Sequence, residues 1–212
     1  MTIGKRLVDI FLALLLTVIL WPVILGLAIA ILLREGRPVF YVSERMRAPG
    51  QPFQLWKFRT MTTVTTDTGV SGGDKSARIT PMGRFMRRTR LDELPQLLNI
   101  LRGDISFVGP RPPLRRYVDM FPKLYGKVLK SRPGVTGLAT LAYHRTEERL
   151  LAPCATPEET EAVYTRRCVP TKARLDLIYA RNRSVGWDLW LMAATVLRRL
   201  PLRGPGRGRP KG

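Results

Sequence analysis

The chain has 212 residues, 36 Lys+Arg against 16 Asp+Glu, and a formal net charge of +20. At roughly 150 residues per domain this is one domain with attachments, and the charge calls for an anionic partner: nucleic acid, a phospholipid surface or a phosphorylated substrate. The 45% hydrophobic content excludes a wholly disordered basic protein, the single histidine, His144, excludes a multi-His metal site, and Cys154 and Cys168 are too few for a zinc ribbon or disulfide scaffold.

Residues 10–33 carry no charge, about 24 residues against the ~20 needed to cross a bilayer. The run is too long for a cleaved signal peptide, and no small-residue cleavage site follows it. Pro22 lies near its middle, where loss of a backbone donor predicts a kink or break. Each half, about 12 residues and ~18 Å long, is then too short to cross a ~30 Å core. Lys5 and Arg6 precede the run and Arg34 and Arg37 follow it. Cationic flanks at both ends favour a re-entrant anchor over 1–36, with both ends in the cytoplasm, over a single kinked span.

Next, VFYVSER (39–45) and FQLWKFRTM (53–61) are β-branched and aromatic runs separated by APGQP, the pattern of a hairpin. Alternation in the second run places Lys57 and Arg59 on one face. The segment 62–76 is a polar Thr/Gly/Ser loop; 79–90 is a basic helix; 94–101 is a second helix stopped at Gly103. VGPRPP (108–113) forms a rigid turn before a helix carrying Tyr117, Phe121 and Tyr125. SRPGVTG (131–137) is another turn, leading into a short strand through Tyr143. One or two helices over 158–179 break near Pro170. The stretch 187–200 is amphipathic, with Trp187 and Trp190 suited to a headgroup layer. The tail 203–212, RGPGRGRPKG, is low-complexity and disordered in character. The fold class is therefore α+β, mainly helical: a membrane anchor, a compact cytoplasmic domain over 37–202 with a small hairpin, and interfacial amphipathic helices.

Adjacent acids are rare in so basic a chain, and Asp92-Glu93 in RTRLDELPQL is such a pair. Acids before Pro95 can simply favour a helix start. However, Arg84, Arg87, Arg88 and Arg90 lie upstream and Arg111 sits in the proline-stiffened turn. Surrounding guanidinium groups keep a carboxylate ionised, as a nucleophile requires, and a second carboxylate can hold a hard divalent cation. With no GxxxxGK[ST] loop, phosphate falls to Arg and Lys side chains, and Lys57, Arg59 and Arg111 form the natural clamp.

The order KRLVDIFLALLL, PVFYVSER, WKFRTM, ARITPMGRFMRRTRLDELPQLLNILRGDISFVGPRP, SRPGVTGLA and RLDLIY resembles the bacterial sugar transferase family, the small monotopic phosphoglycosyl transferases. The likeness spans about 4–200. It implies a re-entrant anchor in the bacterial inner membrane, with the site at the cytoplasmic face. It also implies a two-step transfer of sugar-1-phosphate from a UDP-sugar to polyprenyl (undecaprenyl) phosphate. UMP is released and an aspartyl phosphosugar forms on the way, and the product starts exopolysaccharide, capsule, O-antigen or glycoconjugate assembly. By motif match Asp92 is the nucleophile and Glu93 the Mg2+ ligand. Arg111 and Lys57 bind phosphate, and Arg87 and Asp176 match further functional positions. Two positions depart from the family: Trp21 stands where Ser often precedes the membrane proline, and Arg90 where Ser often precedes the LDE run. A different class of function rests on the tail, whose RGRP resembles an AT-hook core that places arginines in a DNA minor groove. Cutting the chain after Leu202 separates the two: the enzyme retains turnover and the nucleic-acid binder loses function.

Overall fold

In a computed structural model of the chain, residues 1–63 and 78–197 are described. The first helix, α1 (Ile3–Glu35), is capped by Thr2, whose hydroxyl accepts from the Lys5 amide. It runs unbroken through Pro22, so the expected helix-break-helix is a single helix. Proline removes one hydrogen bond, the one to the Val18 carbonyl, and the apolar residues on either side keep the remaining helix intact. It is the one helix among the described residues long and apolar enough to cross a membrane.

Nor is α1 a free stalk. Lys5 Nζ meets Asp188 Oδ2 at 2.5 Å, and Arg6 donates to the carbonyls of Ile100 and Leu101. At the far end Arg59 donates to the carbonyls of Glu35, Gly36 and Arg37. Leu12, Ala13, Leu16 and Ile24 pack into the main core, and Ile31 into a second cluster with Phe58 and Met86. Between these anchorages, Val18, Ile19 and Trp21 are 70%, 59% and 57% exposed.

The hairpin forms as expected, β1 (Phe40–Ala48) antiparallel to β2 (Gln51–Phe58), turning at Gly50 in the left-handed region and shifting register between Met46 and Ala48. Tyr41, Ser43 and Arg45 oppose Lys57, Leu55 and Phe53, which places those six on one face. Then come α2 (Pro81–Thr89), a 3-10 turn (Leu91–Glu93) and α3 (Gln96–Arg102), which Gly103 ends in a left-handed conformation. The strand β3 (Ser106–Val108) leads into the VGPRPP turn. The single helix expected after it is two short ones, α4 (Arg115–Met120) and α5 (Pro122–Val128), divided at Phe121-Pro122.

A parallel partner, β4 (Gly134–Thr136), pairs with β3. The expected strand through Tyr143 stops there: Gly137 starts α6 (Leu138–Leu151), whose Leu, Ala and Glu residues are good helix formers. α7 (Pro157–Val163), a π-helical turn (Tyr164–Cys168) and α8 (Val169–Asn182) follow, with Pro170 in the first turn of α8, where its missing N–H is tolerated. The last described helix is α9 (Val185–Leu197). Trp187 lies in the core against Tyr179, ring centroids 5.5 Å apart, rather than in a headgroup layer, and Trp190 packs partly buried on the same cluster. The 62–76 loop from residue 64 onward and the 203–212 tail fall outside the described residues.

Candidate active site

The site is built where β2, the 3-10 turn and the VGPRPP turn meet. Asn99, fully buried on α3, donates to the Gln54 carbonyl at 2.7 Å and accepts from the Trp56 amide at 3.1 Å, so α3 is pinned to the strand carrying Lys57. α2 ends at Arg90, whose φ of 59° makes it the one described non-glycine residue in the left-handed region. That residue redirects the chain straight into Leu91-Asp92-Glu93, and such strain is retained where the surroundings impose it. Backbone hydrogen bonds hold the turn bearing Arg111: Gly109 N–H donates to the Thr136 carbonyl and Gly134 N–H to that of Pro110. A Cβ on Gly134 would stand 2.2 Å from the Gly109 nitrogen, so nothing larger than glycine fits that seam.

Glu93 is the hub. Its Oε1 lies 2.8 Å from Lys57 Nζ and 3.8 Å from Arg111, and its Oε2 3.5 Å from Arg90. Burial by itself pushes the Glu93 carboxyl up, but Lys57, Arg111 and Arg90 together hold it at about 2. Lys57 is pulled below its ordinary value by burial, against the upward pull of Glu93. Asp92 is buried, forms no ion pair with a described residue, and takes a hydrogen bond from its own backbone amide. Burial raises its carboxyl, Glu93 adds to that rise, and Lys57 and Arg87 oppose it. Lys57, with Arg111 and Arg90, therefore holds Glu93 ionised, while at Asp92 burial outweighs the charges of Lys57 and Arg87 and keeps the carboxyl above its ordinary value. A carboxylate so placed is more basic than one in water.

Of the residues singled out in the sequence, Lys57, Glu93 and Arg111 come together in direct contact, with Asp92 beside them. Arg87 acts on Asp92 by charge while its Nε donates to the Thr60 hydroxyl at 2.8 Å. Arg59 lies elsewhere: the strand ends at Phe58, and its guanidinium is committed to the carbonyls closing α1. Asp176, on α8, is buried with Oδ1 lacking any hydrogen-bond donor, and burial raises it to about 7 against the pull of Lys172. His144 is exposed and, among the described residues, pairs only with Glu148 on its own helix. Arg45 and Gln96, which share a recess with Lys57 and Arg111, escaped the sequence reading, because one arginine among 36 cations carries no signal of its own.

The sequence profile of the bacterial sugar transferase family matches residues 1–201. A UDP-glucose:undecaprenyl-phosphate glucose-1-phosphate transferase of Klebsiella pneumoniae is 36% identical over 191 residues, covering 88% of this chain and 37% of that protein. One of the same name from Caulobacter vibrioides is 35% identical over 201 residues, 93% of this chain and 68% of that protein. A UDP-N-acetylgalactosamine-undecaprenyl-phosphate N-acetylgalactosaminephosphotransferase of Aeromonas hydrophila is 34% identical over 145 residues, 66% and 34% of the two. The chain thus spans little more than a third of the Klebsiella and Aeromonas proteins. With the match running from the apolar helix through both motif-bearing turns, the chain belongs to the bacterial sugar transferase family.

Proposed function

We propose that the chain is a phosphoglycosyl transferase that moves a sugar-1-phosphate from a UDP-sugar to undecaprenyl phosphate through an adduct on Asp92. One observation carries the reading: two adjacent carboxylates in a single buried turn are tuned apart, Glu93 held low by three cations and Asp92 raised by burial with no ion pair among the described residues. An Asp92 oxygen attacks the β-phosphorus of the donor, the bond to the bridging oxygen breaks, and UMP departs. An oxygen of the lipid phosphate then attacks the same phosphorus, the acyl-phosphate bond to Asp92 breaks, and the polyprenyl diphosphate sugar leaves with Asp92 restored. Lys57 and Arg111 face the charge that builds on the transferring phosphate, and Arg87 steadies Asp92.

Glu93 Oε2, buried and without a hydrogen-bond donor, suits a Mg2+ ion, which takes carboxylate and phosphate oxygens and, when bound, neutralises diphosphate charge. Among the described residues no group of three or more His, Cys, Asp or Glu assembles, so phosphate oxygens of the donor would complete such a site.

For the membrane we propose a monotopic anchor with both helix ends on the cytoplasmic side of the inner membrane. Both ends of α1 are bonded to the same globular body while its middle stays exposed, which supports this reading against a crossing helix. Basic side chains beside the anchor add attraction for anionic lipid, roughly 1 kcal/mol each. The RGRP tail lies beyond the described residues and beyond the family match, and nothing favours nucleic acid as a partner.

The test is UMP release with undecaprenyl phosphate, Mg2+ and a panel of UDP-sugars, with intact-mass measurement of the chain when the acceptor is withheld. A sugar-phosphate adduct should form on the wild type and vanish in Asp92→Asn. An adduct that persists in Asp92→Asn, or turnover that never forms one, refutes the assignment.

A further inference from the structure

The recess beside the dyad holds more positive charge than Glu93 balances. Arg45, Lys57 and Arg111 line it together with Gln96 and the backbone of Gly134. Lys57 and Arg111 share Glu93. Arg45 has nothing comparable. Its Nε is buried without a hydrogen-bond acceptor, and no described residue forms an ion pair with it. The charged neighbour acting most on it is Arg111, which repels it, with smaller opposing effects from the phenol groups of Tyr41, Tyr164 and Tyr117. A desolvated guanidinium with a free donor, next to a second cation, is an unfavourable arrangement in the empty site and a favourable one for a phosphate anion.

The order of the groups says which phosphate. Register places Arg45 on the Lys57 face of the hairpin, four residues along β1 from Tyr41, the partner of Lys57, or about 14 Å of strand. The recess holds Arg45, Lys57 and Arg111 but not Asp92, and the charges act in sequence: Asp92 on Lys57, Lys57 with Arg111, and Arg111 on Arg45. In-line displacement at phosphorus requires the leaving oxygen opposite the attacking one. The order Asp92, Lys57 with Arg111, then Arg45 matches nucleophile, transferred phosphate and departing phosphate.

Building on the transferase reading, we propose that Arg45 binds the nucleoside-side phosphate of the donor, the one that departs as UMP. Its work belongs to the first half-reaction alone, since the lipid acceptor arrives after UMP has gone.

The experiment compares wild type with Arg45→Met and Arg45→Lys in UMP inhibition, the rate of adduct formation, and the rate at which an isolated adduct is discharged by undecaprenyl phosphate. Loss of a charge-assisted hydrogen bond should weaken UMP inhibition and slow adduct formation roughly 10- to 100-fold in Arg45→Met. Discharge should stay within about twofold of wild type, and Arg45→Lys should recover part of the loss. Equal slowing of formation and discharge, or unchanged UMP inhibition, overturns the assignment. If Arg45→Met does not fold, Arg45→Lys decides alone: it should bind UMP at least threefold more weakly, and wild-type inhibition overturns the proposal. A wild type that releases no UMP from any UDP-sugar overturns the transferase reading itself, an outcome distinct from an active enzyme indifferent to Arg45.

Discussion

Consider Lys57→Met, which leaves Glu93 buried without its 2.8 Å partner. Holding Glu93 at about 2 instead of its ordinary 4.5 is worth about 3 kcal/mol at neutral pH. The sign follows from the depressed value: the contribution is complete above pH 4.5 and disappears as pH falls through 2. Against it stands the desolvation of Lys57, pulled down by the same burial, so the intact pair adds little net stability. Breaking it is different. Arg90 at 3.5 Å and Arg111 at 3.8 Å remain, so the loss in Lys57→Met should be about 2–4 kcal/mol, near the low end for a buried pair. Lys57→Met with Glu93→Gln should return to within about 1 kcal/mol of wild type, because Glu93 is then no longer a buried charge without its partner. Turnover should be lost in both. Urea unfolding of the detergent-solubilised chain at pH 7 and pH 3 measures the cycle. A single variant as stable as wild type, or a double variant as unstable as the sum of the singles, refutes the reasoning.

Arg59→Ala should cost about 1.5–3 kcal/mol through the freed carbonyls of Glu35 and Gly36, with turnover per folded molecule changed less than fivefold; paired unfolding and activity measurements check this. Asp176 binds its proton more tightly folded than unfolded, about 7 against 3.8, so its contribution to stability declines as pH rises from 3.8 to 7. Asp176→Asn should accordingly gain about 1–3 kcal/mol at pH 8 and flatten that slope in a denaturant series over pH. Single cysteines at positions 2 and 36, in a chain with Cys154 and Cys168 replaced by Ser, should both react from the cytoplasmic side; labelling of position 2 from outside the cell would falsify the monotopic anchor.

Where local chemistry decides, the sequence was informative. The alternating runs around APGQP gave the hairpin, Gly103 ended α3, and the scarcity of acids isolated Asp92-Glu93. Failures came where distant contacts decide. Lys57 and Arg59 alternate as one strand face, yet pairing stops at Phe58, and the end of α1 claims Arg59 from 24 residues away. Trp187 has a headgroup residue's composition around it but is covered by Tyr179, whose hydroxyl donates to Asp188, itself bound to Lys5. Val135 to Tyr143 is apolar enough for a strand, but only Gly134–Thr136 finds a partner. Arg45 became visible only once its neighbours and its lack of an acceptor were known.

The two-point attachment of α1 bears on how such proteins are handled in the laboratory. Removing residues 1–36 to obtain a water-soluble fragment would strip Leu12, Ala13 and Leu16 from the face of Ile100 and Phe107, unseat Asp188, and release Arg59 from its acceptors. The fragment would expose its own interior, so aggregation or lost activity in it would report a missing wall rather than a missing lipid. Inhibitor screens and crystallisation trials therefore call for the entire polypeptide in a bilayer mimic.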